Sequence, residues 1–264
     1  MPIPPEQRLK FFVYIIESPS EVDIYNGRQE GGMLQHSLQL NQIVCVSKVV
    51  ISRLAFSAAI KIGLPEAMKQ HPDFVPIIHI SAHGDGDGLQ MSNGEKLDWE
   101  ELKALLRPVN EALKNTLFVC MSACQGYSGI KMAMSFEDEA YPYFALIGCA
   151  ASPTWAETSI GFCTLYHLMN KGETIMDALK VMRAASGVDS WNADRAADSR
   201  TFYRDYISKK QLEQAQETLK DDAAAASSSE SSTVVVPVAV PLVGQDSTPK
   251  APELSKFVTR PISS

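Results

Sequence analysis

Four apolar runs punctuate the first 150 residues: 11–17 (FFVYIIE), 75–82 (VPIIHISA), 116–123 (TLFVCMSA) and 143–150 (YFALIGCA). Each is continuous rather than alternating, which is the pattern of strands covered on both faces. Segments with helical spacing lie between them and supply the crossovers that a parallel sheet needs. A further strand is predicted near 42–46. A helix is predicted over roughly 47–70, with Ile51, Ala55, Ala58 and Ile62 sharing one face. A second opens at LDWEELKALL, where Asp98 is the N-cap, Glu101 takes the capping-box position and Leu102, Leu105 and Leu106 face inward. After the fourth apolar run, 155–170 reads as a helix stopping at Gly172. Thr174 and Asp177 then open a helix that carries Ile175, Ala178, Leu179 and Met182 and ends near Gly187. The fold class that follows is α/β, with a mostly parallel central sheet flanked by helices in three layers.

From 204 to 220 the sequence is polar and helix-favouring, and beyond it Ala, Ser, Val and Pro dominate with no helical or strand period. The expected organisation is one domain over residues 1–220 and a disordered tail over 221–264. The tail's apolar piece, VVVPVAVPLV, is ten residues with two prolines, so it is not a membrane span; it is read as part of the disordered tail, with docking to the body or a partner as the alternative. The N-terminus is polar and proline-rich, and FFVYII is too short for a signal core or a membrane span, so a cytoplasmic location is expected. The formal net charge is −7, and no run of Lys and Arg is dense enough to neutralise several phosphates; direct nucleic-acid binding is not expected. Five cysteines without a CxxC pair indicate neither a disulfide framework nor a zinc site, and leave reduced thiols. No metal and no cofactor are expected.

Candidate chemistry sits at two strand ends. In an open parallel sheet, functional side chains collect at the carboxyl edge, where loops meet helix N-termini. His83 closes PIIHISA and precedes Gly84; Cys124 closes LFVCMSA and precedes Gln125 and Gly126. A lone His and a lone Cys are ordinarily core residues. Here both lie at the polar end of an apolar strand, beside Gly, Ala or Ser, and both precede a loop. Neighbouring strands would bring imidazole and thiol to one rim as base and nucleophile. The N–H groups of Gly84 and Cys124 would then offer an oxyanion hole. Cys45, Cys120, Cys149 and Cys163 read as packing residues. His79 is four strand residues from His83, too far to share one ion with it. GDGDG after His83 lacks the spacing of a calcium or phosphate loop and reads as a turn, in which Asp85 or Asp87 is placed to orient His83.

The residues SAHG and MSACQG resemble the caspase superfamily of cysteine peptidases, in which a His-Gly at one strand end and an Ala-Cys-x-Gly at the next carry the reaction. The order of AHGDGDGLQMSNGEKLDWEEL, FVCMSACQG, ALIGCAASPTWAET and KGETIMDAL is similar to the bacterial CHAT branch, over about residues 76–187. The resemblance implies a caspase-like three-layer fold and a cysteine endopeptidase with no cofactor. It also implies a role in bacterial signalling or antiviral defence, activation by a separate sensor protein, and a protein substrate encoded nearby. By position it makes His83 the base, Cys124 the nucleophile and Gly84 an oxyanion donor. Where caspases hold Gln and metacaspases hold Asp, two positions before the nucleophile, this chain has Ser122, so the P1 preference stays open. Arg28 is a candidate for an acidic P1 side chain, and Asp85, Asp87 or Glu157 for a basic one. The alternative reading is a catalytically silent caspase-like adaptor.

Overall fold

The computed structural model describes residues 8–137 and 139–229, with side chains to residue 220, as two compact units divided between Tyr203 and Arg204. The first unit is built on a sheet of six strands: β1 (Phe11–Ser18), β2 (Cys45–Val49), β3 (Val75–Asp85), β6 (Phe118–Ser122), β7 (Ala145–Cys149) and β8 (Trp191–Arg195). Their order is β2-β1-β3-β6-β7-β8, with every pairing parallel except the last. The short strands β4 (Gly88–Gln90) and β5 (Lys96–Asp98) form a hairpin that pairs with the carboxyl end of β3.

Strand alternation sends successive side chains to opposite faces, and both faces are covered. One carries Phe11, Val13, Ile15, Ile77, Cys120 and Ile147 into a core completed by α2 (Glu30–Leu40), α6 (Trp155–Lys171) and α7 (Ile175–Ser186). The other carries Tyr14, whose hydroxyl donates to the Ala59 carbonyl at 2.8 Å. On that side lie α3 (Arg53–Ala58), a π-helical turn (Ala59–Gly63), α4 (Leu64–Gln70), α5 (Trp99–Ala112) and a 3-10 segment (Gly126–Ala133). The short helix α1 (Glu21–Tyr25) follows β1, and α8 (Ala196–Ser229) follows β8. The chain is thus a three-layer α/β protein with a mostly parallel central sheet flanked by helices, an arrangement consistent with a caspase-like fold.

Four of the caps fall where the sequence puts them, and Thr154 adds another. Asp98 with Glu101 and Thr154 with Glu157 close capping boxes, Thr174 caps α7 through the Asp177 N–H, and Gly172 and Gly187 end their helices in the left-handed conformation. The segment 47–70 departs from expectation. Its first residues extend β2, and the helix starts only after the Ser52 cap. Ile51 precedes the helix and is exposed, as is Ile62, while the buried face is Phe56, Ala59, Ile60, Leu64 and Ala67. Helices α1 and α2 and strand β8 are additions to the predicted set. The N-terminal expectation for residues 1–7 and the tail expectation beyond Ser229 lie outside the described residues. Among the described residues, no helix is long and apolar enough to cross a membrane.

Candidate active site

Strands β3 and β6 are adjacent and parallel, with Ser81 paired to Ser122. Two residues further along each chain stand His83 and Cys124, on the same face and at the same carboxyl edge. Cys124 is partly exposed and occupies the turn that leaves β6, and Gln125 adopts a left-handed backbone with φ of 52°. The Gln125 N–H donates to the Ala151 carbonyl at 2.8 Å, and Gly126 starts the 3-10 segment. A β-carbon on Gly126 would meet Met121 side-chain and backbone atoms at 2.8 and 3.0 Å, so the turn requires glycine there. Gly84 lies directly against the Ala-Cys segment: a β-carbon on it would stand 3.1 Å from the Cys124 carbonyl oxygen and 3.2 Å from Ala123 Cβ. The His-Gly and Ala-Cys segments therefore meet at one rim.

His83 is held from behind by a residue that the sequence does not announce. Its Nε2–H donates to Asp23 Oδ2 at 2.8 Å, and the Trp155 ring packs edge-on against the imidazole with centroids 5.4 Å apart. Because a carboxylate only accepts, Asp23 fixes the proton on Nε2 and leaves Nδ1 as the basic nitrogen. Asp23 is 5% exposed and is itself anchored: Ser20 Oγ donates to Oδ2 at 2.5 Å, and the Arg28 guanidinium lies 3.3 Å from Oδ1. Burial alone would raise the Asp23 pKa. The hydrogen bonds from Ser20 and His83, the His83 charge and the Trp155 indole outweigh it and hold the carboxyl below its usual range. Asp23 stays ionised and so remains an acceptor for the Nε2–H.

The other four thiols are held protonated by burial. Burial pushes Cys45 and Cys120 up to about 12, and it also raises Cys149 and Cys163 despite hydrogen bonds that lower them. A thiol held that high is inert near neutral pH. Their assignment to packing agrees with this burial.

The remaining candidates are scattered around the rim. Arg28 follows α1 and pairs with Asp23. Asp85 binds Lys96 at 2.9 Å and accepts from the Asp87 N–H in the β3–β4 turn. The orienting acid for His83 is thus Asp23 rather than Asp85 or Asp87. That turn is gripped from both sides, since the Gly86 carbonyl accepts from Trp99 Nε1 at 2.9 Å and from Lys131 Nζ at 2.7 Å. Glu157 is occupied by the α6 capping box. Ser122 is fully buried beneath Cys124. Asp23 was reachable only through the Ser20-to-Asp23 spacing of a capped turn; nothing in one sequence ties that turn to a histidine sixty positions away.

No protein-family model matches the chain, and no curated protein does. Among solved structures, the complex of Porphyromonas gingivalis RgpB pro- and mature domains matches with a TM-score of 0.44 and 13% identity. The match covers 74% of this chain and 49% of the other, so this chain spans about half the length of the one it matches.

Proposed function

We propose that the chain is a caspase-like cysteine endopeptidase whose nucleophile is Cys124 and whose base is His83. The observation that carries this reading is the conjunction of three features: Cys124 and His83 at matching ends of adjacent parallel strands, Gly84 packed on the Cys124 carbonyl, and His83 anchored by buried, ionised Asp23. In the proposed reaction the Cys124 thiolate attacks the scissile carbonyl. The N–H groups of Gly84 and Cys124 receive the developing oxyanion. The His83 imidazolium then gives its proton to the leaving amine, and water, deprotonated by the same imidazole, releases the acyl group and restores the thiol.

Arg28, Ser122, Asp85 and Glu157 are the candidate substrate contacts in this reading. The order of motifs supports a place beside the bacterial CHAT branch. On that basis we assign the protein a role in signalling or antiviral defence, with a protein substrate and a separate activating protein.

The test is covalent labelling of the purified chain by peptidyl acyloxymethyl ketones, together with cleavage of a peptide library. Both should be abolished in Cys124→Ala, and turnover should be lost in His83→Ala. A wild-type chain that no electrophilic peptide labels, or labelling that survives Cys124→Ala, would instead identify a silent adaptor.

A further inference from the structure

The turn that follows His83 lies at the reacting edge of the sheet yet hangs off it, because β4 and β5 pair only with the end of β3 and with each other. Gly84, Gly86 and Gly88 alternate here with Asp85 and Asp87, so the stretch has much backbone freedom to lose on folding. Each glycine is closely approached. A β-carbon on Gly88 would stand 2.9 Å from Asp98 Cα, and one on Gly86 would stand 3.2 Å from Gln125 Oε1, the residue after the nucleophile. Small residues let the turn pass close to Cys124, but they do not hold it there.

The holding is done at the Gly86 carbonyl, by side chains of two other elements. Trp99 Nε1, at the start of α5, donates to it at 2.9 Å, and Lys131 Nζ donates at 2.7 Å from the 3-10 segment that begins two residues after Cys124. One donor is enough to offset the desolvation of a peptide carbonyl, and the buried Trp99 indole supplies it. Lys131 is not needed for that purpose. Its pairing with a carboxylate is weak as well, since Asp87 Oδ1 is 3.4 Å away on a side chain that is 80% exposed. Fixing a long, mostly buried lysine stem in one rotamer costs side-chain entropy, which so exposed a pair does not return. What Lys131 adds is connection. Its segment follows Cys124, and the turn it grips follows Gly84. Those two stretches already touch where Gly84 meets the Cys124 carbonyl. A single contact leaves a hinge; the second, from Lys131 to Gly86, fixes the angle between them.

That angle bears on the oxyanion. Hydrogen-bond donors stabilise a developing charge only when they already stand at bonding distance from the place where it forms. A displacement of about 1 Å costs on the order of 100-fold in rate. The Gly84 and Cys124 N–H groups, assigned above to the oxyanion, lie one on each of the two stretches that Lys131 ties together. We propose that Lys131 is a positioning residue for catalysis, acting through the Gly86 carbonyl to keep the Gly84 N–H in register with the Cys124 N–H. It works on the backbone rather than on the reacting atoms, and this inference rests on the endopeptidase reading.

The experiment uses the full chain and the library peptide that the wild type cleaves best, as a fluorogenic substrate and as the matching aldehyde. Cys124 adds to the aldehyde as a thiohemiacetal: the S–C bond forms, the carbonyl π bond opens, and the thiol proton passes to the oxygen that lies in the oxyanion position. In Lys131→Met, kcat should fall by about 10- to 100-fold with KM within about 2-fold of wild type, and the inhibition constant of the aldehyde should rise by a similar factor. Alkylation of Cys124 by iodoacetamide, a displacement that forms no oxyanion, should keep its rate and its pH dependence. If Lys131→Met does not fold, Lys131→Gln, polar but shorter, is read by the same measurements. Failure of both to fold makes Lys131 structural and overturns the proposal. A lowered urea midpoint with kcat and the inhibition constant unchanged, or alkylation that falls in step with kcat, also overturns it and leaves the protease reading standing. A wild-type chain that cleaves no peptide overturns both.

Discussion

At the scale of single residues, the site is a chain of dependence running from Ser20 to Cys124. Ser20 caps α1 and donates to Asp23; Asp23 holds His83; in the proposed mechanism His83 serves the thiol at the next strand end. Asp23 acts through the histidine and is a positioning residue. Asp23→Asn keeps an acceptor near Nε2 and removes the charge that favours imidazolium, so turnover should fall by about 10- to 100-fold, the scale of losing a partner behind a working imidazole. The pH profile separates this from a structural effect. The limb of kcat/KM that reports loss of the coupled thiolate–imidazolium pair should move to lower pH, whereas a merely loosened fold would scale the profile without moving it. His83 and Cys124 are legible in the sequence because each combines a strand end with a small neighbour, Gly84 or Ala123, whose reason is steric and local. Asp23 is not, because its meaning lies in which strand it sits beside. One sequence does not reveal that β1 pairs with β3.

At the scale of elements, the strands show how far burial writes itself into composition. β1, β3, β6 and β7 are covered on both faces over most of their length and are mostly apolar, so they can be read directly. β8, WNADR, lies at the edge and forms by pairing antiparallel to β7, with Trp191 alone of its side chains fully buried. Its polar sequence carries no strand signal. Helix α2 contains Gly31 and Gly32 and only a thin stripe of Leu34 and Leu38, which hides a helix that the sheet edge and α6 support. Glycines give the sharpest element-level test, because two of them serve opposite ends. Gly148 in β7 faces the backbone that follows the nucleophile: an added β-carbon would meet Tyr127 N at 2.7 Å and Gly126 C at 2.8 Å. Neither atom can yield as a side chain would, so Gly148→Ala should lower stability by about 1–3 kcal/mol, the usual cost of overpacking, and disturb the Cys124 turn. Gly32 has nothing within 4 Å of such an atom, and Gly32→Ala in α2 should stabilise by roughly 0.5–1 kcal/mol. Urea midpoints of the two variants decide the matter, and a shift of the same sign in both would refute the packing account.

At the scale of the whole molecule, the carboxyl groups pull the dependence of stability on pH in two directions. Asp23 and Glu30 are held low, burial being outweighed by hydrogen bonds and by the charges of His83 and His79. Glu17 and Asp194 are held high, chiefly by burial; the neighbouring Glu30 and Asp198 charges add to it, while the Gly31 N–H and the Tyr127 hydroxyl oppose it. A lowered carboxyl contributes stability that is present above its unfolded pKa and is lost as pH falls through its folded pKa. A raised one contributes stability that is complete below its unfolded pKa and is lost as pH rises through its folded pKa. The two windows adjoin at the ordinary carboxylate values, so wild-type stability should rise with pH up to that range and fall with pH above it. Amide replacements expose the components. Asp194→Asn keeps an oxygen for Tyr127 and never ionises, so its stability relative to wild type should improve between pH 4 and pH 7. Asp23→Asn loses a carboxylate kept ionised by its hydrogen bonds, so its stability relative to wild type should worsen as pH rises from 3 to 5, across the ordinary aspartate value, and change little above that. Denaturant titrations of the three proteins at pH 3, 5 and 7 measure the slopes. Parallel slopes for the two variants would mean that burial at β8 and the hydrogen bonds behind His83 do not set these groups apart.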